Sequence, residues 1–489
     1  MNQARRARAL APVLVATALV TSVISSLGAP LIPTIARDFH DSLSTAQWSL
    51  TIALLSGAIA APVMGRLGDG PRRRAVMVGG LAVVTLGGVI AALATGLDLL
   101  IVGRAMQGVG LGLVPLAMAT ARDELPKVRV APMIALLSVS AAAGVGAGYP
   151  ISGLIADALG LSGAFWFGAI VSAGALICVV AVVPSSRADR LARLDVAGAL
   201  LLAGALVAIL MAVAQGATWG WGSPAVLGLL VAGVVIGAVW ARHQLHTAAP
   251  LIDLRLLRHP AVLAGNGCAT VLGVAMYMNL SAVTEFVQVP RTAGFGFSAS
   301  VVVSGLILIP LSVFLLLGSR LLPTLVRRLG IGTLLSVGCL VVAASGTFFA
   351  LFHDALWESF VMMSILGIGL GTTYAAIPGL IVESVPRSET GSAMGFYQVV
   401  RYVGFSLGSA LTAAVLASHT SSATAQPALT GYTTVFWVAG AVCLAAAIVA
   451  WSLSSRGHQP ASDQRLDDTT VRVLEQTDTE NLFTGGSQS

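Results

Sequence analysis

Three charged residues stand inside apolar runs long enough to be buried in a bilayer, and a fourth sits in a turn crowded with arginines. Arg104 lies in LIVGRAMQGVGLG (Leu99 to Gly112), Glu285 in a run that ends five residues before Pro290, and Arg401 about ten residues into a third run, flanked by Tyr397, Gln398 and Tyr402. A charge inside a hydrocarbon-spanning segment is costly unless it is paired or hydrated, so its default reading is the lining of a solute or proton path. A carboxylate whose ionisation responds to burial and to a nearby guanidinium suits proton loading, which makes Glu285 and Arg104 the proton-coupling candidates. Both also lie toward the outer ends of their runs, where a simple interfacial position would serve. Arg401 suits an anionic or polar group of a substrate, or a lock between two parts of the molecule. Gln107, Tyr277, Asn279, Tyr374, Tyr397 and Gln398 join it as the side chains expected to border a substrate cavity. The turn is GRLGDGPRRR, Gly65 to Arg74, in which Asp69 is the only acid.

Other chemistries find no constellation here. Cys178, Cys268, Cys339 and Cys443 each lie in an apolar run without metal spacing and read as buried free thiols. The seven histidines fall in loops or near the ends of runs, no Walker A sequence is present, and no cluster inside the runs would make a membrane-embedded enzyme. The expectation is therefore no enzyme, no metal and no cofactor.

The elements that must position these residues are helices in a membrane. Of 489 residues, 56% are hydrophobic and 10% charged, with a mean hydropathy of +0.89, too few charges to cover a soluble core of this length. The apolar blocks are about 20 residues long, as a helix needs to cross ~30 Å of hydrocarbon. Fourteen such spans are predicted between residues 11 and 453, the first too long for a signal-peptide core. Trp219 and Trp221, between the seventh and eighth, suit an interface. Arginines crowd alternate loops: Arg66 and Arg72 to Arg74, Arg122 with Arg129, Arg187 to Arg193, Arg242 to Arg258, Arg320 to Arg328, and Arg387. The opposite loops hold only Arg37 and Arg291, which places both termini in the cytoplasm. The net charge of +6 is parcelled among these loops and is no nucleic-acid signal. The polar tail beyond Ser454 reads as disordered.

The chain also repeats. A diverged copy of the basic turn, GSRLLPTLVRRLG, runs from Gly318 to Gly330. Gly108, Gly110 and Gly112 recur as Gly367, Gly369 and Gly371, and Pro126, Gly144 and Gly148 as Pro386, Gly404 and Gly408. Spans one to six thus pair with nine to fourteen, and spans seven and eight are an insertion, expected to pack outside the two bundles and away from the substrate path. The expected organisation is an N-terminal segment 1–10, a six-helix bundle 11–190, the inserted pair 191–245, a second six-helix bundle 246–453 and a tail 454–489. Such repeated halves move solutes between them.

These motifs resemble a major facilitator superfamily transporter of the 14-helix drug:proton antiporter group. Gly65, Leu67, Asp69, Arg73 and Arg74 match that superfamily's G-x-L-A-D-R-x-G-R-R loop, while Gly68, Gly70 and Arg72 depart from it. The resemblance implies a cytoplasmic gate of Gly65, Asp69, Arg73, Arg74 and Arg122, with Asp69 capping the start of the thirteenth span and pairing with Arg122. Arg104, Gln107 and Gly108 match the family's R-x-x-Q-G. GVGAGYPISG, with Gly144, Gly148, Pro150 and Gly153, resembles its antiporter motif, although Tyr149 stands where Pro is usual. The first-span aspartate of the group is replaced by Ile24; Glu285, in the repeat counterpart of that span, lies about one turn from the equivalent position, so the expectation is that the carboxylate has moved to the opposite half. The implied function is proton-driven export of amphipathic or lipophilic small molecules by a monomer in a bacterial cytoplasmic membrane. An importer, or a lipid or metabolite transporter of the same fold, is the alternative.

Overall fold

The computed structural model describes residues 3–27, 31–41, 43–184, 194–420 and 427–457. Arg187, Arg190, Arg193 and the tail from 458 onward lie outside the described residues.

Helices carry the whole architecture, and no β-strand occurs among the described residues. They are α1 (Gln3–Ser26), α2 (Ile32–Asp38), α3 (Leu43–Gly68), α4 (Arg73–Ala92), α5 (Leu97–Gly108), α6 (Leu113–Glu124), α7 (Lys127–Val182), α8 (Val196–Trp219) and α9 (Pro224–His246). There follow α10 (Pro260–Phe286), α11 (Val301–Leu306), α12 (Leu308–Leu329), α13 (Ile331–Leu351), α14 (Leu356–Glu383), α15 (Thr390–Ser418) and α16 (Leu429–Gly457). Apolar sequence in lipid has little choice, because each backbone polar group must be satisfied within its own segment. Among the described residues, twelve helices are long and apolar enough to cross a membrane. Two places account for the difference from the fourteen expected. The 56 residues of α7 would reach about 84 Å if straight, but Gly160 breaks its helical geometry with φ 72° and ψ −178°. The apolar part of α1, Ala9–Ile24, is shorter than a full span.

The two halves are built alike. In the first, α1 packs on α7, α3 on α5, and α4 on α7; in the second, α10 packs on α15, α12 on α14, and α13 on α16. The repeated glycines do the same work in both. A Cβ on Gly144 would press on Ser22 and the Leu19 carbonyl of α1, and one on Gly404 would run into the Thr270 carbonyl of α10. Small residues thus let the paired helices approach to backbone contact. The halves meet where α3 packs on α15 and α7 on α12.

The copy of the basic turn is not a turn: α12 continues through it to Leu329 and stops at Gly330, whose φ is 75°. The inserted helices α8 and α9 pair with each other, and α8 also packs on α3 and α15. Asp195 caps α8 by accepting from the Gly198 amide at 2.8 Å, and its carboxylate also holds His243 (3.0 Å) and Gln244 (2.9 Å) at the end of α9. One cysteine departs from expectation. Cys178 is exposed, on the outer surface of α7 where neighbouring Ile177 is 69% exposed, while the other three are buried.

Candidate functional site

At one end of the molecule the two halves are latched. The turn after α3 sets Asp69 against the first residues of α15, where its carboxylate accepts from the amides of Gly391 (2.7 Å) and Ser392 (2.9 Å). A helix N-terminus presents unpaired N–H groups and the positive end of its dipole, so an acid there is doubly favoured. Gly65 and Gly391 bring the backbones into contact, since a Cβ on either would collide with the other's carbonyl oxygen. Arg66 donates to both oxygens of Glu389, at 2.8 and 3.0 Å. Arg122 reaches across as well, but not to Asp69. It donates to the Thr390 hydroxyl and to the Val385 (3.0 Å) and Pro386 (3.3 Å) carbonyls, the groups its position at the end of α6 puts within reach. Arg73 and Arg74 stay within the first half: Arg73 pairs with Asp123 at 2.7 Å and bonds the Gly68 carbonyl that ends α3, and Arg74 bonds the Val180 carbonyl at 2.7 Å.

Away from the latch the halves part. A cavity of about 390 Å³ is lined by residues 47–55 of α3 and 405–413 of α15, in the halves of those helices away from Gly68 and Thr390. Tyr277, Ser281 and Glu285 line it at four-residue intervals along one face of α10. Leu210, Val213, Gln215 and Trp221 of the inserted segment complete the wall. The inserted pair therefore borders the cavity instead of packing outside it, because α8 fills the gap that opens between α3 and α15.

A much smaller space of about 20 Å³ lies deeper, sharing Leu50, Leu54, Tyr277 and Phe405 with the large cavity and walled by Arg401 and Tyr402. Arg401 is 2% exposed. Its guanidinium sits 5.3 Å from the ring centre of Tyr374, 5.5 Å from Tyr397, 5.8 Å from Tyr402 and 5.7 Å from Phe405. Gln398 donates to the Tyr402 hydroxyl at 3.1 Å, and the Tyr397 hydroxyl meets Ser138 of α7 at 3.3 Å.

The remaining expected residues distribute differently. Arg104 is fully buried in the first half, donating to the carbonyls of Ser49 (3.1 Å) and Ile24 (3.0 Å) and to Gln107 Oε1 (2.8 Å). Ile24, where the resemblance would place an acid, thus offers its backbone oxygen. Neither Arg104 nor Gln107 lines the cavity with Glu285; sequence position put them at a similar depth, but the Arg104 side chain turns into the packed bundle. Asn279 also misses the cavity. Two residues from Tyr277 on a helix is the opposite face, and its Oδ1 lies against Gly346 of α13. Of the antiporter-motif residues, Gly144 is a helix contact and Pro150 abuts Gly305 of α11, while Gly148 is buried and Gly153 faces open space. Sequence reasoning passed over Glu389, Gly391 and Phe405. The first two stand in PRSETGS, just after the proline that pairs with Pro126 in the repeat, which is where a helix start could have been sought.

A family model described as Major Facilitator Superfamily matches residues 14–409. The chain belongs to the Major Facilitator Superfamily. It is 28% identical over 415 residues to the tetracenomycin C resistance and export protein of Streptomyces glaucescens, covering 83% of this chain and 76% of that one. It is 26% identical over 428 residues to the multidrug resistance protein Stp of Mycobacterium tuberculosis, covering 84% and 78%. Against a longer uncharacterized transporter of that organism it spans 57% of the relative's length. The fold matches that of the human organic anion transporter MFSD10 with a TM-score of 0.63 at 15% identity, over 91% of this chain and 99% of that one. Membership in the Major Facilitator Superfamily makes this chain a multi-pass membrane transporter, not an enzyme.

Proposed function

We propose that this chain is a secondary active exporter of amphipathic or lipophilic small molecules, driven by proton antiport and working by alternating access. The observation that carries the reading is the pairing of a shut latch at the arginine-rich end with a cavity on the opposite side. Arginine asymmetry supports a cytoplasmic latch, and with it an outward-facing conformation whose cytoplasmic route is closed. The 14-helix count, with α7 as two spans and α1 as the first, supports cytoplasmic termini in a bacterial cytoplasmic membrane. Names of relatives, an antibiotic export protein and a multidrug resistance protein, support export and amphipathic cargo. Glu285 is the carboxylate in the outer cavity and the proposed proton carrier, since water reaches it there while apolar wall surrounds it.

Inside-out vesicles holding the protein should accumulate a fluorescent amphipathic dye when their lumen is acid, and lose the accumulation on adding a protonophore. Glu285→Gln should abolish the pH-driven accumulation and leave dye binding. Dye movement in the reverse direction would make the chain an importer, and accumulation unaffected by Glu285→Gln would remove Glu285 as carrier.

A further inference from the structure

Arg104 and Arg401 are both buried guanidiniums inside spans, yet the protein treats them oppositely. Arg104 is met by carbonyl and amide oxygens of its own half. Arg401 keeps Nε and Nη1 without any hydrogen-bond partner among the described residues. Tyr397 and Tyr402 lie close enough to interact with it, but their phenols are neutral oxygens that fill neither of those donors. No carboxylate answers the charge either, because the ion pairs of the described residues are Arg66–Glu389, Arg73–Asp123 and His243–Asp195.

A buried cation with unfilled donors is a standing cost, kept where another state of the molecule fills them. Filling by the opposite half is not built in. The four rings come from α14 and α15 of the second half. Across the small space the first half offers Ser22, Leu54, Leu111, Ala142 and Tyr149, with no acid. A lock between halves would need one there. At about 20 Å³ the space holds little more than one water, so a larger occupant requires the two halves to move apart there. Tyr277, stacked on Phe405 at 4.7 Å and 25°, carries the aromatic surface from this space to the wide cavity.

We propose that Arg401, with Tyr374, Tyr397, Tyr402 and Phe405, binds the anionic group of a planar aromatic molecule, a carboxylate or phenolate carried on fused rings. The oxyanion takes the unfilled donors, and the fused rings lie among the aromatic side chains. The proposal rests on the export reading only in taking this molecule for cargo.

The test is fluorescence-monitored binding to the purified full chain in detergent, with anthracene-9-carboxylate and its neutral carboxamide as probes. The carboxylate should bind about tenfold or more tightly than the amide, because a charge-assisted hydrogen bond to a buried guanidinium is worth at least that ratio. Arg401→Gln should erase the preference, bringing the two affinities together. Equal affinities for the two probes on the unaltered protein overturn the proposal without recourse to any variant, as does an undiminished preference in Arg401→Gln. Binding is read without transport, so the two readings fail separately. Carboxylate preference in a protein that exports nothing would sink the export reading and leave the site. Export of neutral or cationic dyes with no carboxylate preference would sink the site and leave export.

Discussion

Asp69 carries a charge that its surroundings only half accept. Burial pushes its carboxyl up to about 7, with Glu389 adding to the rise, while the amides of Gly391 and Ser392 and the Arg66 guanidinium pull the other way. Arg122 also lies within range of its field. When the latch opens, the carboxyl regains water and an ordinary value near 4. The closed latch therefore binds a proton more tightly than the open one. Its stabilisation from this group is complete below about pH 4 and is lost as pH rises through 7. Distances between spin labels on the latch ends of α3 and α15 should show the open fraction growing from pH 6 to pH 8, and Asp69→Asn should flatten that growth. An open fraction equal at both pH values in the unaltered protein would exclude Asp69 as the titrating group.

Arg104 belongs to the same scale and leads to a different expectation. Arg104→Ala removes a donor from the buried Gln107 Oε1 and the side-chain bonds that tie the Ile24 and Ser49 carbonyls together, at a cost of about 1–3 kcal/mol for the oxygen left unpaired. A lowered melting temperature with an unchanged pH profile of transport is the expected result; a shifted profile would return Arg104 to the proton path. Residue types were readable from the sequence, since a charge in an apolar run announces itself. Which way each side chain points was not, because helical phase relative to a neighbour is fixed only when the bundles pack. That is why Arg104 and Asn279 left the expected cavity and Phe405 entered it.

At the scale of elements, the repeat was legible because close-packed helices demand glycine at the same register in both halves: Gly108 approaches Ser56 and Ala53 of α3, and Gly367 approaches Leu311 of α12. Element boundaries were less so. The break at Gly160 falls between two of the expected spans, but the Arg-rich end of α12 reads as a loop although it is helix. The inserted pair was the larger miss. An apolar helix without charges looks lipid-facing from composition alone, yet α8 presents Leu210, Val213 and Gln215 to the cavity. Val213→Trp adds bulk to that wall and should reduce transport of large dyes more than that of small ones, read as a ratio of efflux rates. Equal reduction for both sizes, or none, would return α8 to a purely packing role.

For the whole molecule, the latch, the small Arg401 space and the large cavity lie in order along the boundary between the halves. Arg401 stands nine residues from Ser392, or about 13 Å along α15, with the cavity wall beginning a turn beyond it. Such an arrangement is expected of two bundles that rock about a central site, closed on one side while open on the other. The direct measurement is transport with the latch fixed shut. In a Cys178→Ser background, Arg66→Cys with Glu389→Cys places two thiols where the side chains now meet, and a short bis-methanethiosulfonate reagent joins them reversibly. Cross-linked protein in inside-out vesicles should transport nothing, and adding reductant should restore the rate of the uncross-linked pair variant. Transport that continues at that rate while the cross-link is intact would show that cargo crosses without the latch opening, and would contradict alternating access in this chain.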